Sequence, residues 1–155
     1  MILRPHFFWG VQNADAPPRM NVFLVGPMGS GKSAVGRQLA QRLALEFIDS
    51  DAEIEARTGV DIAYIFEREG EAGFRSREAE VIDAISRRDR VLVSTGGGAV
   101  LDAGTRERLR TRGRVVYLRT SVDQQLARTR RSNDRPLLNN DDPRGTLERL
   151  FEQRA

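Results

Sequence analysis

The sequence predicts a three-layer α/β domain, a parallel sheet with helices on both faces. Three observations carry this expectation. Short apolar runs alternate along the chain with longer segments whose apolar residues recur at helical spacing. The first of those runs, "NVFLVG", is almost wholly apolar rather than alternating, as expected of a strand covered on both faces. That run leads through a glycine-rich turn, "GPMGSGKS", directly into a helical segment.

The elements follow in order. "NVFLVG" is the first strand, and Lys32 to Leu43 is a helix with Ala34, Val35, Leu39, Ala40 and Leu43 at helical spacing. "EFIDSD" is a second strand ending in acids. "AEIEARTG" is a helix closed by Gly59, and "IAYIFEREG" is another closed by Gly70. Glu71 to Arg87 is a longer helix with Ala79, Ile82 and Ile85 on one face. "RVLVSTGGG" is a third strand running into a glycine turn. Asp102 to Thr111 is a helix, "RVVYLRT" a fourth strand, and Ser121 to about Arg130 a helix. "RRSNDRPLLNNDDPRG" is polar and proline-containing, unusually long for a plain connection, and is assigned as a lid over about 130–143. Pro143 to Arg154 begins a last helix. Residues 1–19 have no periodicity and end in "DAPPR", so they are read as an irregular N-terminal extension to a domain spanning 20–155.

Composition narrows the function. A chain of 155 residues, 39% hydrophobic and 30% charged, suits one globular domain. No apolar run approaches a membrane span, and "MILRPHFFWG" lacks the pattern of a signal peptide. There is no cysteine, which excludes disulfides and thiolate zinc sites, and the single histidine, His6, is a bystander. A cytoplasmic protein is expected, and a monomer. The net charge of +3 arises from 25 basic residues interleaved with 22 acidic ones, so neither nucleic acid nor membrane is expected as a partner. Every basic residue but one is arginine; the exception is Lys32, inside the glycine-rich turn. A site that keeps lysine in so arginine-rich a chain calls for a compact ammonium rather than a planar fork.

The motifs give the chemistry. "GPMGSGKS" matches G-x-x-x-x-G-K-[ST], the P-loop, in its required strand–helix context. Backbone N–H groups of Gly29, Ser30, Gly31, Lys32, Ser33 and Ala34 face phosphate in such a loop, Lys32 neutralises the β- and γ-phosphates, and the Ser33 hydroxyl ligates Mg²⁺. "DSD" places Asp49 and Asp51 at the C-terminal end of the second strand, the edge where open α/β sheets bind ligands. One carboxylate can hold Mg²⁺ through water and the other can orient or deprotonate an acceptor hydroxyl; equally, Asp51 can cap the following helix. Arg75 in "GFRSRE" is either a fork for a substrate carboxylate or an ion-pair partner of Glu71 or Glu78. The run Gly96, Gly97, Gly98 in "STGGGAV" permits close backbone approach to a small ligand, or is a flexible turn. Arg128, Arg130, Arg131 and Arg135 stand in and before the lid, as cations for a transferring phosphate or as a solvated basic loop.

Together, "DSD", "GFRSRE", "STGGGAV" and "RPLL", in this order behind the P-loop, resemble the shikimate kinases, from about Met20 to Ala155. The resemblance implies a P-loop kinase fold with strand order 2-3-1-4-5. It implies ATP-dependent phosphorylation of the 3-hydroxyl of shikimate, with Mg²⁺ as cofactor and ATP as co-substrate. By resemblance, Lys32 and Ser33 serve ATP and Mg²⁺, and Asp49 is the water-mediated Mg²⁺ carboxylate. Asp51 binds the shikimate hydroxyls and is the candidate base; Arg75 and Arg154 grip the carboxylate; Gly97 and Gly98 lie nearest the substrate. Arg135 is the lid arginine on the phosphates and Arg128 the arginine against adenine. The family pattern continues beyond Arg154 with a strand and a helix, so the fifth strand is expected to be absent here, leaving an open sheet edge. The rival readings are a kinase for another hydroxy-acid such as gluconate, and a nucleotide-binding protein without turnover.

Overall fold

The computed structural model describes residues 20–129 and 142–154. Four short strands, β1 (Val22–Val25), β2 (Glu46–Asp49), β3 (Val91–Ser94) and β4 (Arg114–Tyr117), form one sheet in the order β2-β3-β1-β4. Every pairing is parallel, with Leu24 and Asp49 both opposite Ser94. The predicted order of the first four strands is therefore the observed one, and no fifth strand occurs among the described residues. Within them β4 pairs with β1 alone, and its Val115 and Tyr117 are exposed.

Among the described residues six helices surround the sheet: α1 (Lys32–Leu43), α2 (Ser50–Thr58), α3 (Ile62–Ser86), α4 (Ala103–Arg112), α5 (Val122–Thr129) and α6 (Pro143–Arg154). A single 3₁₀ turn, Ala99–Leu101, precedes α4. The two helices predicted on either side of Gly70 run on as α3, but with a break at Gly70 itself, where the backbone is at φ 70° and ψ −176°. α2 begins two residues earlier than "AEIEA" suggests, because Asp49 at the end of β2 is already its N-cap.

Side-chain alternation along the strands separates two cores. Phe23, Val25, Ile48, Val91 and Val93 face α2, α3 and α4 and pack on Ile54, Phe74, Ile82 and Leu109. Leu24 and Leu92 face the other way and pack with Ala40 and Leu39 of α1 and Leu45. α1 comes close to the sheet at Gly36, where an added Cβ would meet Phe47 at 2.8 Å and Leu24 at 3.1 Å. Asn21 ties the lower end of the sheet together. It accepts from the Val91 N–H at 3.1 Å and donates to the Arg88 carbonyl at 2.6 Å. No described helix is long and apolar enough to cross a membrane. The layers leave the C-terminal ends of β1, β2 and β3 free to build a site.

Candidate active site

At those strand ends lies a cleft of about 470 Å³, within the range of small-molecule sites. Its walls include Gly29, Lys32, Ser33, Asp49, Asp51 and Gly97. One wall is the P-loop and the start of α1. The helix caps mark it as different from the rest of the molecule. Asp49, Asp61 and Asp102 accept backbone N–H bonds at the starts of α2, α3 and α4. Ser121 and Asp142 accept from Gln124 N–H and Gly145 N–H at the starts of α5 and α6. At α1 the N-cap is Gly31, with no side-chain cap bond and no acid in the first turn. Its N–H groups and the positive end of its dipole are thus left for an external anion. Lys32 is buried beside them, its Nζ donating to the carbonyls of Gly26 at 2.7 Å and Pro27 at 2.8 Å.

Next to the loop, the Ser33 hydroxyl donates to Asp49 Oδ2 at 2.7 Å. Asp49 divides its oxygens: Oδ1 accepts from the N–H groups of Asp51 at 3.0 Å and Ala52 at 3.2 Å, so Oδ2 is the one turned to Ser33. The cap of α2 is consequently Asp49, and the capping role considered for Asp51 is not the one observed. Asp51, in the first turn of α2, lines the cleft. No group of three or more acidic or histidine side chains suited to a metal occurs among the described residues. A hydroxyl beside one carboxylate would instead suit a Mg²⁺ that takes its remaining ligands from phosphate and water.

The other wall is formed by Gly96 and Gly97 of the glycine run, while Gly98 and Arg75 stand behind it and do not line the cleft. A Cβ on Gly96 would lie 2.6 Å from Glu78 Oε2 and 2.9 Å from Asp51 Oδ1, and one on Gly98 would overlap the Arg75 guanidinium. A side chain at Gly96 or Gly98 would thus push Glu78, Asp51 or Arg75 out of the positions they hold. Gly97 lines the cleft, and the Gly96 N–H is held by the Ser50 hydroxyl at 3.1 Å. Arg75 meets both proposed ion-pair partners, Glu78 at 2.8 Å and Glu71 at 3.4 Å. The pairing and the position against Gly98 coexist.

Sequence reasoning named Glu78 as a surface ion-pair partner of Arg75 and passed over its burial. Glu78 is 2% exposed, which for a carboxylate demands a partner, and that partner is Arg75. The signal was present in the periodicity: Glu78 stands four residues after Phe74 and four before Ile82, on the buried face of α3.

Arg128 reaches from α5 to the P-loop, donating to the Gly29 carbonyl at 2.9 Å. Ala34 lies exposed in the first turn of α1. Arg135, Arg130, Arg131 and the lid up to residue 141 lie outside the described residues, as do residues 1–19. Arg154 ends α6, and its side chain is outside the described set.

Comparison with known proteins agrees with this geometry. The model of the family described as shikimate kinase matches residues 28–155. A shikimate kinase of Halorhodospira halophila is 62% identical over 133 residues, covering 86% of this chain and 75% of the relative. One from Pseudoalteromonas atlantica is 55% identical over 136 residues, covering 88% and 80%. Among solved structures, the shikimate kinase from Acinetobacter baumannii in complex with shikimate superposes with a TM-score of 0.85 at 51% identity, covering 86% of this chain and 75% of that one. On a cleft of this shape and a match running from the P-loop through α6, the chain belongs to the shikimate kinase family.

Proposed function

We propose that the cleft holds ATP on the P-loop wall and shikimate on the glycine wall, so that the 3-hydroxyl of shikimate meets the γ-phosphate between them. As a shikimate kinase, the chain converts shikimate and ATP into shikimate 3-phosphate and ADP, a step toward the aromatic amino acids. The observation that carries the assignment of walls is the presence of the uncapped α1 terminus and of Asp51 beside the glycine run in one cleft.

The N–H groups of Gly29 to Ala34 and the Lys32 ammonium bind the β- and γ-phosphates. Ser33 and Asp49 are the residues fitted to hold Mg²⁺, which when bound neutralises phosphate charge. Arg75, oriented by Glu78, forks onto the shikimate carboxylate, with Arg154 as its second partner. Gly97 and Gly98 let the ring lie against the backbone. Asp51 orients the 3-hydroxyl and takes its proton as the oxygen attacks phosphorus, so the negative charge passes to the leaving ADP. Arg128 lies along the nucleotide. Arg135, on the lid of about 130–143, reaches the transferring group, and lid closure keeps water from competing with the hydroxyl. Catalysis is then chiefly positioning and charge neutralisation. In this reading the enzyme works as a cytoplasmic monomer, with no nucleic-acid or membrane partner.

The product tests this directly. Phosphorus NMR of an incubation with Mg²⁺·ATP and shikimate should show one new ester, coupled to the proton at carbon 3. No ester with shikimate, but one with gluconate, would replace the substrate.

A further inference from the structure

Met28 has a side chain that the phosphate chemistry does not use. It belongs to the P-loop but turns away from the cleft, and it is absent from the cleft walls. Met28 is 6% exposed and packs with Leu126 of α5 and Leu147 of α6, which are 9% and 1% exposed, with Val122 against them. This cluster is separate from the two that cover the sheet. At the next residue the Gly29 carbonyl accepts from Arg128, also on α5. Two consecutive residues of the loop are thus fastened to the α5–α6 pair, one by apolar packing and one by a hydrogen bond.

The fastening matters because of what surrounds it. Gly26, Gly29 and Gly31 make the loop's backbone permissive, and a permissive backbone loses much freedom when it closes around an anion. An anchored side chain within it removes part of that freedom beforehand. Resting on the reading that nucleotide binds at Gly29 to Ala34, we propose that Met28 is a positioning residue for the nucleotide. Its side chain, seated between α5 and α6, holds the P-loop in its binding conformation without touching the ligand. Nucleotide affinity then depends on an apolar contact outside the cleft, and shikimate affinity depends on it far less, because Ser50, Glu78 and Arg75 from α2 and α3 hold the glycine wall and only Arg154 of the substrate contacts comes from α6.

The test compares two ligands on the folded full chain by fluorescence titration: a fluorescent ADP analogue and shikimate. Met28→Ala should weaken the ADP analogue about tenfold by loss of preorganisation while leaving shikimate within about twofold. Met28→Leu, which keeps the volume, should bind both nearly as the parent does. Leu45→Ala, a truncation in the α1 core, supplies a destabilised control that should not discriminate between the ligands. If Met28→Ala does not fold, Met28→Val carries the same comparison with a smaller truncation. Equal binding of the analogue by parent and Met28→Ala, or equal weakening of both ligands, overturns the proposal. Failure of the parent itself to bind the analogue would instead overturn the placement of nucleotide on the loop.

Discussion

Arg75 and Glu78 show how one pair can serve both fold and ligand. Glu78 is nearly sealed from water and Arg75 is 21% exposed at its side chain, so the carboxylate depends on the guanidinium while the guanidinium keeps a face toward Gly98. Removing one partner of such a pair costs more than replacing both. Arg75→Ala should therefore lose about 3 kcal/mol of stability as well as shikimate binding. Arg75→Met with Glu78→Leu should regain most of that stability and none of the binding. Calorimetric unfolding and shikimate titration of the two variants separate the effects. A double variant as unstable as the single one would mean that Glu78 is held by other groups.

At the scale of elements, the helices are joined outside the site by charged hubs. Asp83 of α3 accepts from Arg112 of α4 at 2.7 Å and from Arg87 at 3.0 Å. The hydrogen bond from Arg112 holds its carboxyl below the usual carboxylate range, against the opposing effect of desolvation, and the hydrogen bond from Arg87 adds a smaller lowering. A carboxylate depressed in the folded state stabilises fully above its unfolded value and loses that contribution as pH falls through the folded one. The α3–α4 junction should weaken only in acid, below about pH 4. Melting temperatures recorded downward from pH 6 should fall more steeply for the parent than for Asp83→Asn, which lacks the titrating group. Parallel curves would remove Asp83 from the acid response. The element order was legible in the sequence because strand burial on two faces and helical spacing leave different patterns, and Gly59 and Gly70 mark where helices stop or break. The start of α2 was not, because Asp49, the last residue of β2, serves as both strand end and cap, and only the direction of its oxygens shows the second role.

For the whole molecule, the function follows from bringing three sheet ends to one cleft. Residues that the sequence presents as separate motifs, "GSGKS", "DSD" and "STGGG", become neighbours because β1, β2 and β3 run parallel and end at the same edge. That Lys32, Ser33, Asp49 and Asp51 share one cleft could be read from their motifs, because a strand followed at fixed spacing by these residue types sets them at the C-terminal edge of a parallel sheet. Glu78 and Met28 could not be read so readily, since each acts through burial against elements distant in the chain. The measurement that bears most directly on the reaction is ADP release from Mg²⁺·ATP by the purified chain, with and without shikimate, beside Asp51→Asn. Shikimate should stimulate release several-fold or more in the parent, and Asp51→Asn should lower the stimulated rate about a hundredfold or more, in line with loss of a general base. A folded chain that binds ATP yet shows no shikimate-dependent release, or an Asp51→Asn variant that keeps the full stimulated rate, would contradict it.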